Sequence, residues 1–553
     1  MTLISSIRSD ARHAVHRALA QKTLALAVLL FLLSAGVSKA QAPAKVSAPS
    51  SGALPSLGDN SELTAAAERR IGDRIATSLY RDPDAIDDPV LGDYVQSIWQ
   101  SLRAAARARG ELSAELDERF AWEVILIRDR SVNAFALPGG YFGVHLGLIG
   151  VVTSPDELAA VLAHELSHVT QRHISRLMTQ QSRQAPWMIA AMILGAMAAG
   201  KNSNVGSAAI VGGQALAAQS QLNFSRDMER EADRVGFGVM TSAGFESRGM
   251  RTMFEKLQQS SRLNDSGAFP YLRSHPLTSE RIAEAQSRLQ LDAKTEVIPA
   301  SEALDATGAV VLHAMMAARA RILAAPGVDA LRPMVAQGER LAAASKPPQF
   351  PGVAASPATS RDAGVLYAGA FAATQLRDFA GAHGLLAKLK PLTEGNERAN
   401  KLVSLLAIEI DLMAGAVPPS AASFDMAKTT SRADVLVQGR SLLAARRAPA
   451  VAERLQTWVA AHPKDAAAWQ LLAVAYGNQN QTVRAIRADA ESRAAQMDYA
   501  AAADRLKAAQ TLIRSSPGSA DYVESSIIDT RTRQVESLLK EQTLQDKVDR
   551  HLQ

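Results

Sequence analysis

Hydrophobic positions recur at helical spacing along most of the chain, and extended patterns occupy one short region. Across residues 61–109 apolar side chains return every three or four positions, which predicts helices. Residues 120–127 are mostly apolar and typical of a buried strand, and residues 132–144 predict a second extended segment broken at Pro138-Gly139-Gly140. The pattern predicts a mostly α-helical protein with a small sheet.

A strong helix start follows this extended region at Ser154-Pro155-Asp156-Glu157. Ser154 is a good N-cap, Pro155 suits the first turn, and Glu157 completes a capping box. The apolar pattern then predicts a helix over residues 158–178.

Helical pairs also recur beyond a Pro-rich linker at residues 346–357. Trp469, Leu472, Ala473 and Tyr476 match the tetratricopeptide spacing, and Tyr499, Ala503 and Leu506 suit its second helix. We therefore predict a globular domain over residues 61–300, followed by a tetratricopeptide-like helical repeat domain over residues 301–540.

Residues 1–40 have the organisation of a secretory signal. Basic side chains precede an apolar run over residues 24–33, and Ser38-Lys39-Ala40 fits the small-x-small rule for signal peptidase. We expect a signal peptide over residues 1–40, a flexible leader over residues 41–60 and a periplasmic protein. An uncleaved membrane anchor is the alternative.

Charge and cysteine content exclude several classes of function. The net charge of +5 falls to about +1 without residues 1–40, which hold five Lys and Arg and one Asp, so no nucleic-acid partner is expected. The chain has no cysteine, which excludes disulfides, thiolate catalysis and Cys-ligated metals. An exported protein without disulfides must rely on a large core, which suits a bacterial periplasm.

A second apolar run, at residues 187–199, is too short to span a bilayer. Two interpretations stand. The run forms a buried helical hairpin, or it forms an apolar lid that gives the protein peripheral membrane contact.

Candidate chemistry lies in His164-Glu165-Leu166-Ser167-His168, within the predicted helix. His164 and His168 are about 40° apart around a helix, so both imidazoles can take tetrahedral positions of one Zn²⁺. Glu165 lies about 100° away, which suits a base acting on water better than a ligand.

A third ligand is predicted at residues 225–233. Glu229 and Asp233 share a helical face, so Glu229 would complete a His₂Glu zinc site and Asp233 would accept a hydrogen bond from a ligand imidazole. If each segment is one continuous helix, Glu231 points nearly opposite Glu229, and His173 lies about 180° around the helix from His164. His275, in Ser274-His275-Pro276-Leu277, could reach the site from a loop.

These residues resemble the HtpX-like and BepA-like zinc metallopeptidases, particularly the BepA type, in which tetratricopeptide repeats follow the catalytic domain. The matching segments are Asn133-Ala134-Phe135-Ala136-Leu137-Pro138-Gly139-Gly140, residues 164–173, 225–233 and 274–277.

The resemblance implies a zincin-type α+β domain with one zinc ion on His164, His168 and Glu229, and with Glu165 as general base. It also implies that His275 takes the fourth zinc position in a self-inhibited state. Substrate would add as a strand along the edge near Asn133, Ala134 and Phe135.

The sequence thus predicts an exported zinc metalloendopeptidase, or a membrane-anchored quality-control protease if the N-terminal segment stays uncleaved. The resemblance implies that it cleaves misfolded or misassembled envelope proteins. The resemblance adds a chaperone-like role in outer-membrane protein assembly, with the repeat domain contacting the assembly machinery. The alternative is a non-catalytic or self-inhibited repeat-domain chaperone or adaptor.

Overall fold

The structure is a computed structural model, and it describes residues 63–181, 226–263, 270–292, 300–344, 357–515 and 522–551. The predicted signal, the leader and the apolar run at residues 187–199 lie outside these residues, as does most of the Pro-rich linker. Among the described helices, none is long and apolar enough to cross a bilayer.

The N-terminal part of the described chain is built from three helices and one short strand. Helix α1 is Ala65–Tyr80, strand β1 is Ala85–Ile86, helix α2 is Pro89–Ala108 and helix α3 is Ala114–Arg119. The Asp88 carboxylate caps α2 by accepting from the Leu91 amide at 2.8 Å, and Pro89 occupies the first turn. Helical spacing over residues 61–109 predicted α1 and α2 correctly and missed the two-residue strand β1 between them.

Four strands form one mixed sheet within the described residues. Strands β2 (Glu123–Ile127), β3 (Ala134–Leu137) and β4 (Tyr141–His145) join β1 in the order β1-β2-β4-β3. β2 pairs parallel with β4, and the other two pairings are antiparallel, so β3 is an edge strand.

A tight turn of three residues, Pro138–Gly140, joins β3 to β4. Gly139 has φ of +72°, and a β-carbon there would lie 2.8 Å from the Arg69 Cα atom on α1. The turn therefore needs glycine both for its backbone conformation and for its close packing on α1.

The predicted catalytic helix is shorter than the sequence pattern suggests. Helix α4 is Leu146–Val151 and helix α5 is Pro155–Thr170, and Ser154 caps α5 by accepting from the Glu157 amide at 3.2 Å. The predicted helix over residues 158–178 is interrupted at Arg172, where φ is +57°, and helix α6 begins at His173 and ends at Gln181. The prediction of one continuous helix was wrong, because apolar periodicity continues through a turn that changes the direction of the chain.

Four further helices lie between residues 226 and 292 of the described chain. They are α7 (Arg226–Ser242), α8 (Arg248–Leu263), α9 (Tyr271–Ser274) and α10 (Ser279–Asp292). Helix α5 packs against α2, α7, α8 and β3, and its side chains are buried on every face. A helix buried on all sides holds its polar side chains in an environment with little water.

The remaining helices follow one another in space as they do in sequence, and from α12 onward each contacts the next. They are α11 (Ala300–Ala324), α12 (Val328–Ala344), α13 (Pro357–Gln375), α14 (Phe379–Leu389), α15 (Glu397–Met413), α16 (Arg432–Ala444), α17 (Ala448–Ala461), α18 (Ala466–Gly477), α19 (Thr482–Ala495), α20 (Tyr499–Ser515) and α21 (Tyr522–His551). The described chain is thus mostly helical with a small sheet, as predicted.

One detail of the repeat prediction was wrong. Trp469 and Tyr476 lie on α18, but the next helix is α19, and Tyr499 begins the helix after that. The expected second helix of this repeat was therefore assigned one helix too late.

The hydrophobic core continues across the predicted domain boundary at residue 300. One cluster of buried side chains runs from Ala65 through α5 to Val437 on α16. Arg319 on α11 is buried with it and bonds to Asp88, the cap of α2, and to Glu409 on α15. The boundary itself stays a prediction.

Candidate metal centre

Four buried side chains converge beside α5. His164 and His168 come from α5, Glu229 comes from α7, and His275 follows α9. One donor atom of each lies within 4.8 Å of the other three. The structure therefore brings together the predicted ligands His164, His168 and Glu229 and adds His275 to them.

The separations of these donor atoms suit a tetrahedral metal. The Nε2 atoms of His164 and His168 are 3.0 Å apart, and each lies 3.4 or 3.5 Å from a carboxylate oxygen of Glu229. The Nδ1 atom of His275 lies 3.3 Å from His164 Nε2 and 3.0 Å from Glu229 Oε1. A tetrahedron with metal–ligand bonds of about 2.0–2.1 Å has edges of about 3.3–3.4 Å, so the donor set fits Zn²⁺ in both geometry and chemistry.

Glu229 and His168 have protonation preferences that agree with a ligand role, whereas His164 would release a proton on binding metal. Burial lowers the pKa of His164, but Asp233 and Glu229 raise it to about 10. Burial, the largest influence, opposes ionisation of Glu229, yet His275, His164 and His168 together hold its pKa well below the usual range. Burial keeps the pKa of His168 well below its ordinary value, so this imidazole is neutral. A carboxylate and a neutral imidazole are the forms that bind metal.

Glu165 lies at the side of this cluster and not inside it. Its Oε2 atom accepts the amide hydrogen of Ala136 on β3 at 3.0 Å, and its Oε1 atom is 3.4 Å from His275 Nε2. Burial raises the pKa of Glu165, and His275 and His164 act in the opposite direction. The carboxylate is thus held between the metal ligands and the edge strand.

Asp233 contacts the His164 ring on the side away from the metal cluster, as helical spacing predicted. Its Oδ1 atom lies 2.9 Å from His164 Nδ1, which leaves Nε2 of the same ring to face the cluster. A carboxylate this close to Nδ1 favours one orientation and tautomer of a ligand histidine.

Sequence analysis missed Arg281, a buried residue on α10. Its guanidinium donates to both carboxylate oxygens of Asp233, at 2.6 and 2.7 Å, and lies 2.8 Å from Glu229 Oε2. It also donates to the Pro276 carbonyl at 2.8 Å, beside His275. Nothing in the spacing of the sequence distinguishes Arg281 from a surface arginine, because its partners come from other segments.

One residue that helical geometry turned away from the metal cluster, His173, lies beside it. His173 Nδ1 is 2.9 Å from His168 Nδ1, and His173 Nε2 is 3.0 Å from Glu231 Oε2. The expectation for His173 was wrong, because α5 ends at Thr170 and the turn at Arg172 folds His173 back toward His168. Glu231, predicted to point away from Glu229, is not one of the converging donors.

The segment that carries His275 also lies next to the edge strand. The Tyr271 ring stacks on the His275 ring with centroids 4.7 Å apart, and the Tyr271 amide approaches the Val132 carbonyl at 3.4 Å. The predicted substrate residues Asn133 and Ala134 are buried, and Phe135 is partly exposed. The Phe135 ring lies over Gly143 of β4, where a β-carbon would meet it at 2.2 Å.

Comparison with known proteins finds a family match over the region of this site. Residues 94–289 match the model of peptidase family M48. This range holds α5, the edge strand and all four converging side chains, so the match confirms the family resemblance and the metallopeptidase class predicted from the sequence.

Individual relatives agree with this assignment. The chain is 35% identical to the beta-barrel assembly-enhancing protease of Escherichia coli over 246 residues, which is 44% of this chain and 48% of that protein. It is 32% identical to the protein of the same name from Yersinia pestis over 266 residues, 47% of this chain and 52% of that protein. The mitochondrial metalloendopeptidase OMA1 of Arabidopsis thaliana is 32% identical over 195 residues, 35% of this chain and 36% of that protein. The aligned part thus spans about half the length of the bacterial relatives.

Proposed function

We propose that this protein is a zinc-dependent endopeptidase that cleaves unfolded or misassembled proteins, because residues 94–289 match the model of peptidase family M48. The observation that carries the proposal is the buried cluster of His164, His168, Glu229 and His275, with Glu165 beside it. A scaffold without catalysis would have no use for a buried carboxylate at the position of Glu165.

Each residue of the site would have its own role in peptide hydrolysis. His164, His168 and Glu229 would hold the zinc ion, which supplies Lewis acidity toward the peptide carbonyl and lowers the pKa of water. Glu165 would take a proton from the attacking water and deliver it to the leaving amine. Asp233 and Arg281 would hold His164 and Glu229 in place through buried ion-pair contacts.

Removal of the metal tests the protease function most directly. Casein should be cleaved by the purified protein, and 1,10-phenanthroline should abolish cleavage because the site depends on the metal. Zinc should restore activity and magnesium should not, since magnesium prefers oxygen ligands. Cleavage that continues in the chelator, or a zinc-loaded protein that never cleaves casein, would favour the non-catalytic adaptor instead.

Substrate would bind as an added strand along the free edge of β3. Ala136 donates its amide hydrogen to Glu165 and not to β4, so the Ala134 amide, two residues earlier, faces the same edge. Asn133 Oδ1 is buried, and among the described residues it has no hydrogen-bond donor. These groups could bind the backbone of an extended peptide and bring its carbonyl near Glu165.

A photo-crosslinker in each edge strand separates this mode from binding elsewhere. In the Glu165→Gln background, benzoylphenylalanine at position 135 should crosslink casein because Phe135 lies on the substrate edge. The same group at position 86, on the opposite edge of the sheet, is the matched control. Equal crosslinking at both positions, or none at position 135, would exclude strand addition at β3.

In a closed state of the protein, His275 would take the fourth ligand position and block the site. It contributes a fourth donor to the cluster, and its segment lies against Val132 at the start of the edge. A peptide that adds to β3 must displace this segment, which would free the metal and the edge together.

His275→Ala should therefore raise casein cleavage or self-cleavage. If the open state makes up 10% or less of the molecules, the increase should be about tenfold or more. The control is His383→Ala, which changes a partly exposed histidine on α14. Initial rates for the two variants and the wild type measure the effect, and a rate equal to that of the control would remove the guarding role.

The relatives and residues 1–40 support a proposal about the cellular setting. We infer that the protein is exported to the periplasm and acts on envelope proteins, because two relatives are named beta-barrel assembly-enhancing proteases. The helices beyond residue 300 would form tetratricopeptide-like repeats that contact the assembly machinery and give the protein a chaperone-like role. Substrates crosslinked to the Glu165→Gln variant in intact cells, identified by mass spectrometry, test this inference. Recovery of cytoplasmic proteins alone would contradict it.

A further inference from the structure

The two histidines of α5 are supported in different ways on the side away from the metal cluster. His164 Nδ1 faces the carboxylate of Asp233 at 2.9 Å, whereas His168 Nδ1 faces the imidazole of His173 at 2.9 Å. The ring centroids of His168 and His173 are 4.9 Å apart with an interplanar angle of 73°, so the rings meet in a T-shaped contact. His173 is fully buried.

The arrangement determines where the protons lie. His168 Nε2 faces the metal cluster, so a neutral His168 that ligates through Nε2 carries its proton on Nδ1. His173 Nδ1 must then accept that proton in a hydrogen bond, and its own proton lies on Nε2. His173 Nε2 donates in turn to Glu231 Oε2 at 3.0 Å.

Glu231 is itself held from the other side. Its Oε2 atom accepts from the Arg176 guanidinium at 2.9 Å. The hydrogen bonds therefore run in one direction, from His168 to His173 to Glu231, and the arginine fixes the final acceptor. Arg176 also places a positive charge beside Glu231, which argues against a second metal ion at this carboxylate.

We propose that His173 is a positioning residue for the zinc ligand His168, through a relay that ends at Glu231 and Arg176. The proposal rests on the zinc site of the proposed function and assigns a role to the turn after α5. The left-handed backbone at Arg172 is what lets His173 reach the ring of His168 from a new helix. On the side away from the metal, His164 would thus have the Asp233 carboxylate as its direct partner. His168 would have the neutral His173 imidazole, and the Glu231 carboxylate would act on it through His173.

Zinc affinity in two matched variants tests the role. His173→Leu fills a similar volume without a polar atom, whereas the amide of His173→Gln can still accept from His168 and donate to Glu231. We expect His173→Leu to raise the zinc dissociation constant about 10–100-fold and His173→Gln to restore most of the loss. Competition with a chromogenic chelator gives the dissociation constants, and His383→Leu on α14 is the surface control.

A second variant keeps the test decisive if His173→Leu does not fold. Glu231 is partly exposed, and Glu231→Ala should weaken zinc binding by about tenfold, the lower end of the range for residues that support metal ligands. Circular dichroism of the metal-free proteins checks folding. Wild-type zinc affinity in both variants, or equal loss in His173→Gln and His173→Leu, overturns the proposal.

The same measurements keep the proposal apart from the protease function. If the wild type cleaves casein and His173→Leu binds zinc normally, the positioning role fails and the protease function stands. If the wild type binds zinc without cleaving casein and His173→Leu binds it weakly, the protease function fails and the positioning role stands.

Discussion

Glu165→Gln is expected to lower the rate of casein cleavage about 10²–10⁴-fold, the usual contribution of a general base. The physical reason is that glutamine cannot take a proton at the pH of the reaction. Its amide oxygen can still accept the Ala136 hydrogen that Glu165 accepts at 3.0 Å, so the edge strand should stay in place. Single-turnover cleavage rates at saturating enzyme measure the effect on the chemical step.

Two controls make the result specific. Glu115→Gln makes the same chemical change at an exposed site on α3 and should leave the rate unchanged. The zinc dissociation constant of Glu165→Gln should stay near the wild-type value, because Glu165 is not one of the converging donors. A rate within a few-fold of the wild type would contradict the assignment of Glu165 as the base.

The second large effect concerns stability. Arg319→Met should lower the free energy of unfolding by about 3–5 kcal/mol, because removal of one partner leaves buried charges uncompensated. Arg319 is 2% exposed and donates to Asp88 and Glu409 at 2.7 Å and to the Tyr367 hydroxyl at 3.1 Å. Methionine fills much of the same volume but cannot pair with either carboxylate.

The measurement is best made in the Glu165→Gln background, where self-cleavage cannot distort the unfolding curve. Urea denaturation followed by tryptophan fluorescence gives the midpoint and the slope. Arg533→Met, at an exposed site on α21, is the matched control and should change stability by about 0.5 kcal/mol or less. If Arg319→Met unfolds at the same urea concentration as this control, the buried network does not stabilise the fold as expected.

The local features of the site could be predicted from the sequence because they depend on helical geometry alone. His164 and His168 face the same way on α5, and Asp233 follows Glu229 by one turn on α7, as their spacing of four predicts. The N-cap at Ser154 and the turn at Gly139 were also predictable, since each depends on a few neighbouring residues.

The same reasoning failed at the C-terminal end of α5. Extending the periodicity of α5 past Thr170 turned His173 away from the metal cluster, whereas the turn at Arg172 brings it to His168. The apolar pattern continues from α5 into α6, so no local signal marked the break.

The sequence by itself determined which side chains share a face, because neighbouring backbone angles set the direction of each side chain. Only the tertiary structure decided which faces meet. His275 lies 111 residues beyond His164 yet within 3.3 Å of it, and Arg281 is buried between Asp233 and Glu229. These contacts depend on how α5, α7 and α10 pack around one core, which the spacing within any single helix cannot specify.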